Sequence, residues 1–352
     1  MRAALERSVL RVKYFVSIAF RSTALKVAFA LCALVSLFWF RLVDFRILTG
    51  LSGSFEVPLA VVFLIALTSI IAGYRWNLLL RTQAIVISNV RAINITCIAA
   101  FYNMFVPGGV GADATRIFYV LPFSRGRRGA GILSVIVDRV LGLLGLVSIG
   151  AGIIVLRPDL AFGSEAGNSR ALTAGLVFAL SVVALFVIPR LLAGVSIETT
   201  HQGLALRAVR ALILVLRNFS AHPGRLAAGW ALSMLLHVLA LGGIAALGIW
   251  SGIGHLDWAG YALAGAVSML ANVLPLTPGG IGVGELAFAY VCRLLSGDGV
   301  SPFATILFVF RALTGLVSLY GALVFTFYRN TGSSSDKTTV SSATPHSFDL
   351  PS

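Results

Sequence analysis

The chain alternates long apolar runs with short polar flanks, and the runs fall near residues 27–43, 57–74, 92–106, 112–123, 129–156, 171–189, 226–250, 258–274, 285–295 and 301–327. The long runs reach the length of about 17–25 residues that crosses some 30 Å of hydrocarbon. Four runs are short, and they come in two pairs, 92–106 with 112–123 and 258–274 with 285–295. Each pair is interrupted by a glycine-rich break, "FYNMFVPGGVGADATRIF" from Phe101 and "LANVLPLTPGGIGVGELAF" from Leu270. The arms after the breaks are too short to span comfortably and suit re-entrant hairpins.

The pattern therefore predicts an all-α polytopic membrane protein. About six full transmembrane helices are joined by two oppositely oriented re-entrant hairpins, giving eight or more membrane segments. Composition agrees: 58% of the 352 residues are hydrophobic and only 11% are charged, against roughly 25% charged in soluble domains. A water-soluble fold is excluded on that balance.

Net charge is +14, and its placement sets the expected orientation. Basic residues cluster beside apolar segments, as the positive-inside rule and anionic headgroups require, so no nucleic-acid partner is implied. With the basic N-terminus inside, the first hairpin begins at Arg91 and ends at Arg125–Arg128, both basic flanks. The second lies between "SGIGHLDW" and "SGDGVSP", which carry no Lys or Arg. The hairpins thus enter from opposite faces. Arg75 and Trp76 are read as anchors at the inner surface. Residues 1–26 form a basic amphipathic cytoplasmic leader, 27–328 the integral domain, and 329–352 a Ser/Thr-rich tail expected to be disordered and cytoplasmic. The chain is placed in a bacterial cytoplasmic (inner) membrane, with both termini inside. The loop stretch "GLALRAVRALILVLRNF" has helical apolar spacing and is expected to lie on the inner leaflet.

The two breaks share more than a turn. Each has an asparagine, PGG, an acid and then an arginine in the next spanning run, with Pro107 to Arg139 separated by 32 residues and Pro278 to Arg311 by 33. The units, about 91–156 and 258–327, read as inverted repeats, a recurring transporter plan. Chance resemblance in a chain with 36 glycines is the alternative.

Pro107, Gly108, Gly109 and Gly111, and Pro278, Gly279, Gly280 and Gly282, would bend the backbone and free amide donors beside a helix start. Such an element can hold an anion or simply shape a cavity. Asp113, Asp138 and Glu285 sit at membrane depth, where charge needs a partner or water. Asp113 and Arg116 are spaced to pair along one helix. Arg139 and Arg311 are placed to bind a phosphate or to neutralise those acids. Asn103 and Asn272 are placed to bond the freed backbone, and His237 to make a helix-to-helix hydrogen bond. Cys32, Cys97 and Cys292 show no metal or disulfide spacing, and no cofactor is implied.

These residues give the chain a resemblance to the flippase-like transmembrane domain of lysylphosphatidylglycerol synthases, the multiple peptide resistance factors. The matching motifs are Arg75–Trp76, the Asn103–Gly111 block with Arg116, Asp138–Arg139, Leu274–Glu285 and Phe310–Arg311, over roughly residues 60–328. Stand-alone forms include a branch associated with hopanoid biosynthesis. The family more often shows Glu-Arg than this Asp-Arg, and nothing resembling its soluble aminoacyl-transferring domain follows. The resemblance implies a lipid flippase moving a phospholipid or isoprenoid-type lipid through a central polar cavity, and not an enzyme. A transferase acting on a lipid-linked substrate is the alternative, and a lipid-binding accessory protein a third. Expected partners are a membrane lipid with a phosphate-bearing or isoprenoid headgroup, anionic inner-leaflet lipids, and a second copy or a lipid-modifying enzyme.

Overall fold

The structure is a computed structural model that describes residues 55–104, 110–124, 127–160, 167–193, 213, 217–273, 282–299 and 301–328. Its principal helices, in chain order, are α1 (Glu56–Thr82), α2 (Asn89–Asn103), α3 (Val110–Val120), α4 (Arg128–Leu156), α5 (Gly167–Ala193), α6 (Pro223–Ser251), α7 (Trp258–Ala271), α8 (Val283–Ser296) and α9 (Ala304–Phe327). There is no strand among the described residues. The run at 27–43, the leader, the tail and most of the loop helix expected after Gly203 lie outside the described residues.

Helices α1, α4, α6 and α9 are long and apolar enough to cross a membrane, and α5 is 27 residues long. Their outer faces carry large apolar side chains in the open, among them Leu59, Phe63, Leu172, Leu180 and Leu323. A surface of that kind is stable only against hydrocarbon. The chain is a multi-pass membrane protein.

The paired short helices have local reasons for where they start. Ser88 caps α2 by accepting from the Arg91 N–H at 3.2 Å, and Asp257 caps α7 by accepting from the Gly260 N–H at 2.8 Å. Gly282 precedes α8 with φ +89°, a conformation that only glycine adopts freely. At about 1.5 Å per residue, α2 (15 residues), α3 (11), α7 (14) and α8 (14) are each shorter than a 30 Å hydrocarbon core. Within each pair the two arms pack against each other.

Loop contacts define the two ends of the bundle. At the first end, Arg127 donates to the Gln83 carbonyl at 3.1 Å, Asn218 to the Gln83 side chain at 2.9 Å, and Arg225 to the Arg81 carbonyl at 3.4 Å. Arg91 also lies over the Phe123 ring there, joining the outer ends of α2 and α3. At the second end, Arg157 bridges Asp159 and Asp257, and Gly254 lies against the Phe303 ring. Helices α4 and α6 therefore run from the first end to the second, and α1 and α9 run the other way. The α2/α3 pair is rooted at the first end and the α7/α8 pair at the second.

Exchange α1 with α6, α2 with α7, α3 with α8 and α4 with α9, and the packed helix pairs map onto one another. Helix α1 packs on α2 as α6 does on α7; α9 packs on α2 as α4 does on α7; α1 and α6 pack on each other. Helix direction reverses in the exchange. The structural unit thus takes in α1 and α6, one helix before each predicted repeat, with α5 as the linker. Close approach depends on small residues. A Cβ on Gly73 would stand 2.6 Å from the Ile93 Cα, and one on Gly321 would collide with the Cys97 carbonyl.

Candidate functional site in the centre of the bundle

Polar residues scattered through the sequence converge on one cavity of about 470 Å³. Its lining includes Asn103, Asp113 and Arg116 near the inner ends of α2 and α3, Asp138 and Arg139 on α4, Asn272 at the inner end of α7, and Arg311 on α9. Each half supplies a matched ion pair. Arg139 meets Asp113 at 2.9 Å, and Arg311 meets Glu285 at 2.7 Å. An acid from the second arm of each short pair thus joins the arginine of the spanning helix that follows.

The second pair is the more tightly built. Arg311 also donates to the Asn272 side chain at 2.8 Å. Glu285 accepts from the Gly282 N–H at 2.8 Å while holding Arg311. This carboxylate therefore both caps α8 and carries a charge partner. It also occupies the Gly282 amide, a donor expected to be open to an anion. Gly284 permits the arrangement, because a Cβ there would lie 2.5 Å from the Asn272 Oδ1 and 2.6 Å from an Arg311 guanidinium nitrogen. Glu285 and Gly282 stand behind Arg311 and do not line the cavity. The first pair is more open, with 36% of the Arg139 side chain and 27% of that of Asp113 exposed.

Beside the first pair lies a buried triad with no counterpart among the described residues of the second half, where Phe310 precedes Arg311 as Asp138 precedes Arg139. Arg75 donates to both oxygens of Asp138, to Oδ1 at 2.8 Å and Oδ2 at 3.0 Å, and Arg116 donates to Oδ2 as well at 2.7 Å. Arg75 also donates to Ser233 on α6 at 2.7 Å. The expected local pair between Asp113 and Arg116 is replaced: Arg116 turns to Asp138 and Asp113 to Arg139.

Arg75 and Trp76 correct the sequence reading most clearly. They are not surface anchors; Trp76 is fully buried and Arg75 nearly so. The apolar run ends at residue 74, but α1 continues to Thr82. Trp76 bonds Ser134 at 3.4 Å and lies under the Arg116 guanidinium at 5.5 Å. The missed signal was Leu78–Leu80, three apolar residues after the arginine.

His237 makes the expected interhelical bond, Nε2–H donating to the Gly142 carbonyl at 2.9 Å. Ser268, Thr314 and His237 line the cavity without having been singled out as site residues. Asn103 Oδ1, Arg116 Nε, His237 Nδ1 and Ser268 Oγ are buried without a hydrogen-bond partner. Gathered round one cavity, such atoms mark a place that takes water or a polar guest. Gly111 is buried in the first turn of α3, its carbonyl accepting from Thr115 at 2.7 Å. Pro107, Gly108, Gly109, Pro278, Gly279 and Gly280 lie outside the described residues. No group of side chains suited to holding a metal ion occurs among the described residues.

No match was found among curated proteins or among solved structures. The family model for the lysylphosphatidylglycerol synthase TM region matches residues 23–321. That span covers both inverted units up to the last quarter of α9, with every charged residue of the cavity, and the chain belongs to this family.

Proposed function

We propose that the chain is a lipid-translocating protein of a bacterial cytoplasmic membrane that moves a phosphate-bearing lipid between leaflets. In this reading six helices cross, both termini face the cytoplasm, and the α2/α3 and α7/α8 pairs are half-crossing hairpins entered from opposite faces. The cavity holds the headgroup and the chains stay outside it. Rocking of the inverted units would open the cavity to each leaflet in turn.

The carrying observation is the pair of matched ion pairs, Arg139–Asp113 and Arg311–Glu285, on one cavity between the two halves. Charges at that depth cost about 2.5–3.5 kcal/mol each on insertion scales, which a purely structural bundle avoids. Arg75, Arg116, Arg139 and Arg311 face the three carboxylates Asp113, Asp138 and Glu285. The formal excess is one positive charge, supplied by the triad of the first half. That balance favours a monoanionic phosphodiester over a zwitterionic headgroup.

Mass spectrometry of lipids kept through gentle purification tests this reading. Wild-type protein should retain one class of anionic phosphodiester lipid, and Arg139→Ala and Arg311→Ala should lose it while remaining folded. The same unselective mixture on all three proteins would refute it.

A further inference from the structure

A second hollow of about 720 Å³ lies between α1, α2 and α9, within the range of roughly 300–1,000 Å³ usual for ligand pockets. Its walls are chiefly aliphatic, with Val62, Ile65, Ile93, Cys97, Leu316 and Val317 among them. Three hydroxyls on its walls are already bonded to backbone carbonyls. Ser69 bonds the Ile65 carbonyl at 3.2 Å, Thr314 the Phe310 carbonyl at 2.8 Å, and Ser318 the Gly315 carbonyl at 2.7 Å.

Two features say what fills it. Its rim is open on the lipid-facing surface, where Ile70, Val90, Leu316 and Tyr320 are all more than 45% exposed. Its floor is shared with the polar cavity, since Asn103, Arg311 and Thr314 line both. An apolar trough open to hydrocarbon at one side and ending on a guanidinium matches an amphiphile whose charged end has passed inward. Along α2 the trough follows Val90 to Met104, about 21 Å at 1.5 Å per residue.

We propose that this groove holds one hydrocarbon chain of the lipid whose headgroup sits in the polar cavity, and that the lipid enters sideways between α1, α2 and α9. The proposal rests on the headgroup reading above and adds the route and the chain site. Arg311 then stands at the neck, meeting the phosphate where headgroup and chain join.

The test uses full-length wild-type protein in vesicles of phosphatidylcholine. A trace of phosphatidylglycerol bears a diazirine near the end of one acyl chain, and labelled peptides are mapped after illumination. The expected result is labelling of α1, α2 and α9 on the groove walls, reduced several-fold by excess unlabelled phosphatidylglycerol. Labelling of the outer face of α5, at Leu172–Leu180, should be insensitive to that competitor. Ala312→Phe, which narrows the neck, should reduce groove labelling alone.

Groove labelling that is no stronger than on α5 and is not competed would overturn the chain site. Should lipid retention still depend on Arg139 and Arg311 in that case, the groove alone is refuted and the headgroup reading stands. Should groove labelling be saturable but unchanged in Arg311→Ala, along with its retained lipids, the chain site holds and the headgroup reading fails.

Discussion

Asp138 is the residue on which the first half turns. Its carboxylate is 2% exposed and holds two guanidiniums from different helices. Removing one partner of a buried ion pair costs about 3–5 kcal/mol, because the charge left behind has no substitute. Asp138→Ala strands both Arg75 and Arg116, so its thermal unfolding midpoint in detergent should fall by well over that of Ser233→Ala. The latter removes only one hydrogen bond to a charged group, worth about 1.5–3 kcal/mol. A midpoint for Asp138→Ala equal to wild type would show that the triad contributes nothing to the fold. At this scale much was legible. Membrane-depth acids and arginines are few, and their cost alone marks Asp113, Asp138, Arg139, Glu285 and Arg311. Their pairing was not legible, since Arg116 has acids at similar reach on its own helix and on α4, and only packing chooses between them.

The elements were legible from apolar length, and their limits were not. The short runs around each break correspond to α2, α3, α7 and α8, because a run of 11 to 15 residues with a proline-glycine stop has little freedom to be anything else. The end of α1 was misjudged because an arginine was taken as a leaflet boundary. In a bundle with a polar interior an arginine can equally face inward, and only the partner on another helix decides.

The second end offers a test at this scale. Arg157, just past α4, ties Asp159 to Asp257, the N-cap of α7. Hydrogen bonding to Arg157 holds the Asp159 carboxyl below its ordinary value. Asp257 is also lowered: burial opposes this, and the Gly260 N–H and Arg157 prevail. For carboxylates depressed in the folded state, the contribution is present above the ordinary value of about 3.9 and is lost as pH falls through the lowered one. The protection factor of amides in the first turn of α7 should therefore fall on acidification below about pH 4. In Arg157→Ala it should already be low at neutral pH and change less. Equal exchange in the two proteins across that range would remove the clamp.

On the scale of the whole molecule, the exchange of α1–α4 with α6–α9 accounts for the sequence echo that first suggested a repeat. Charge placement around the breaks agrees with the rooting of the two pairs at opposite ends of the bundle, because flanking arginines record which end is which. The asymmetry was hidden. The first half carries a buried triad, and an open groove runs between its α1 and α2 and the α9 of the other half; neither leaves a mark in the PGG blocks, since both depend on how α1 meets α4, α2 and α9.

The central claim is that lipid crosses through the cavity with Arg139 and Arg311 as its charge contacts. Reconstituted vesicles with a fluorescent phosphatidylglycerol, bleached from outside by a membrane-impermeant reductant, measure this directly. Wild-type protein should make inner-leaflet lipid accessible well above the protein-free rate. Arg139→Ala and Arg311→Ala, folded and incorporated equally, should fall to that background. Wild-type vesicles no faster than empty ones, or variants as fast as wild type, would contradict the account.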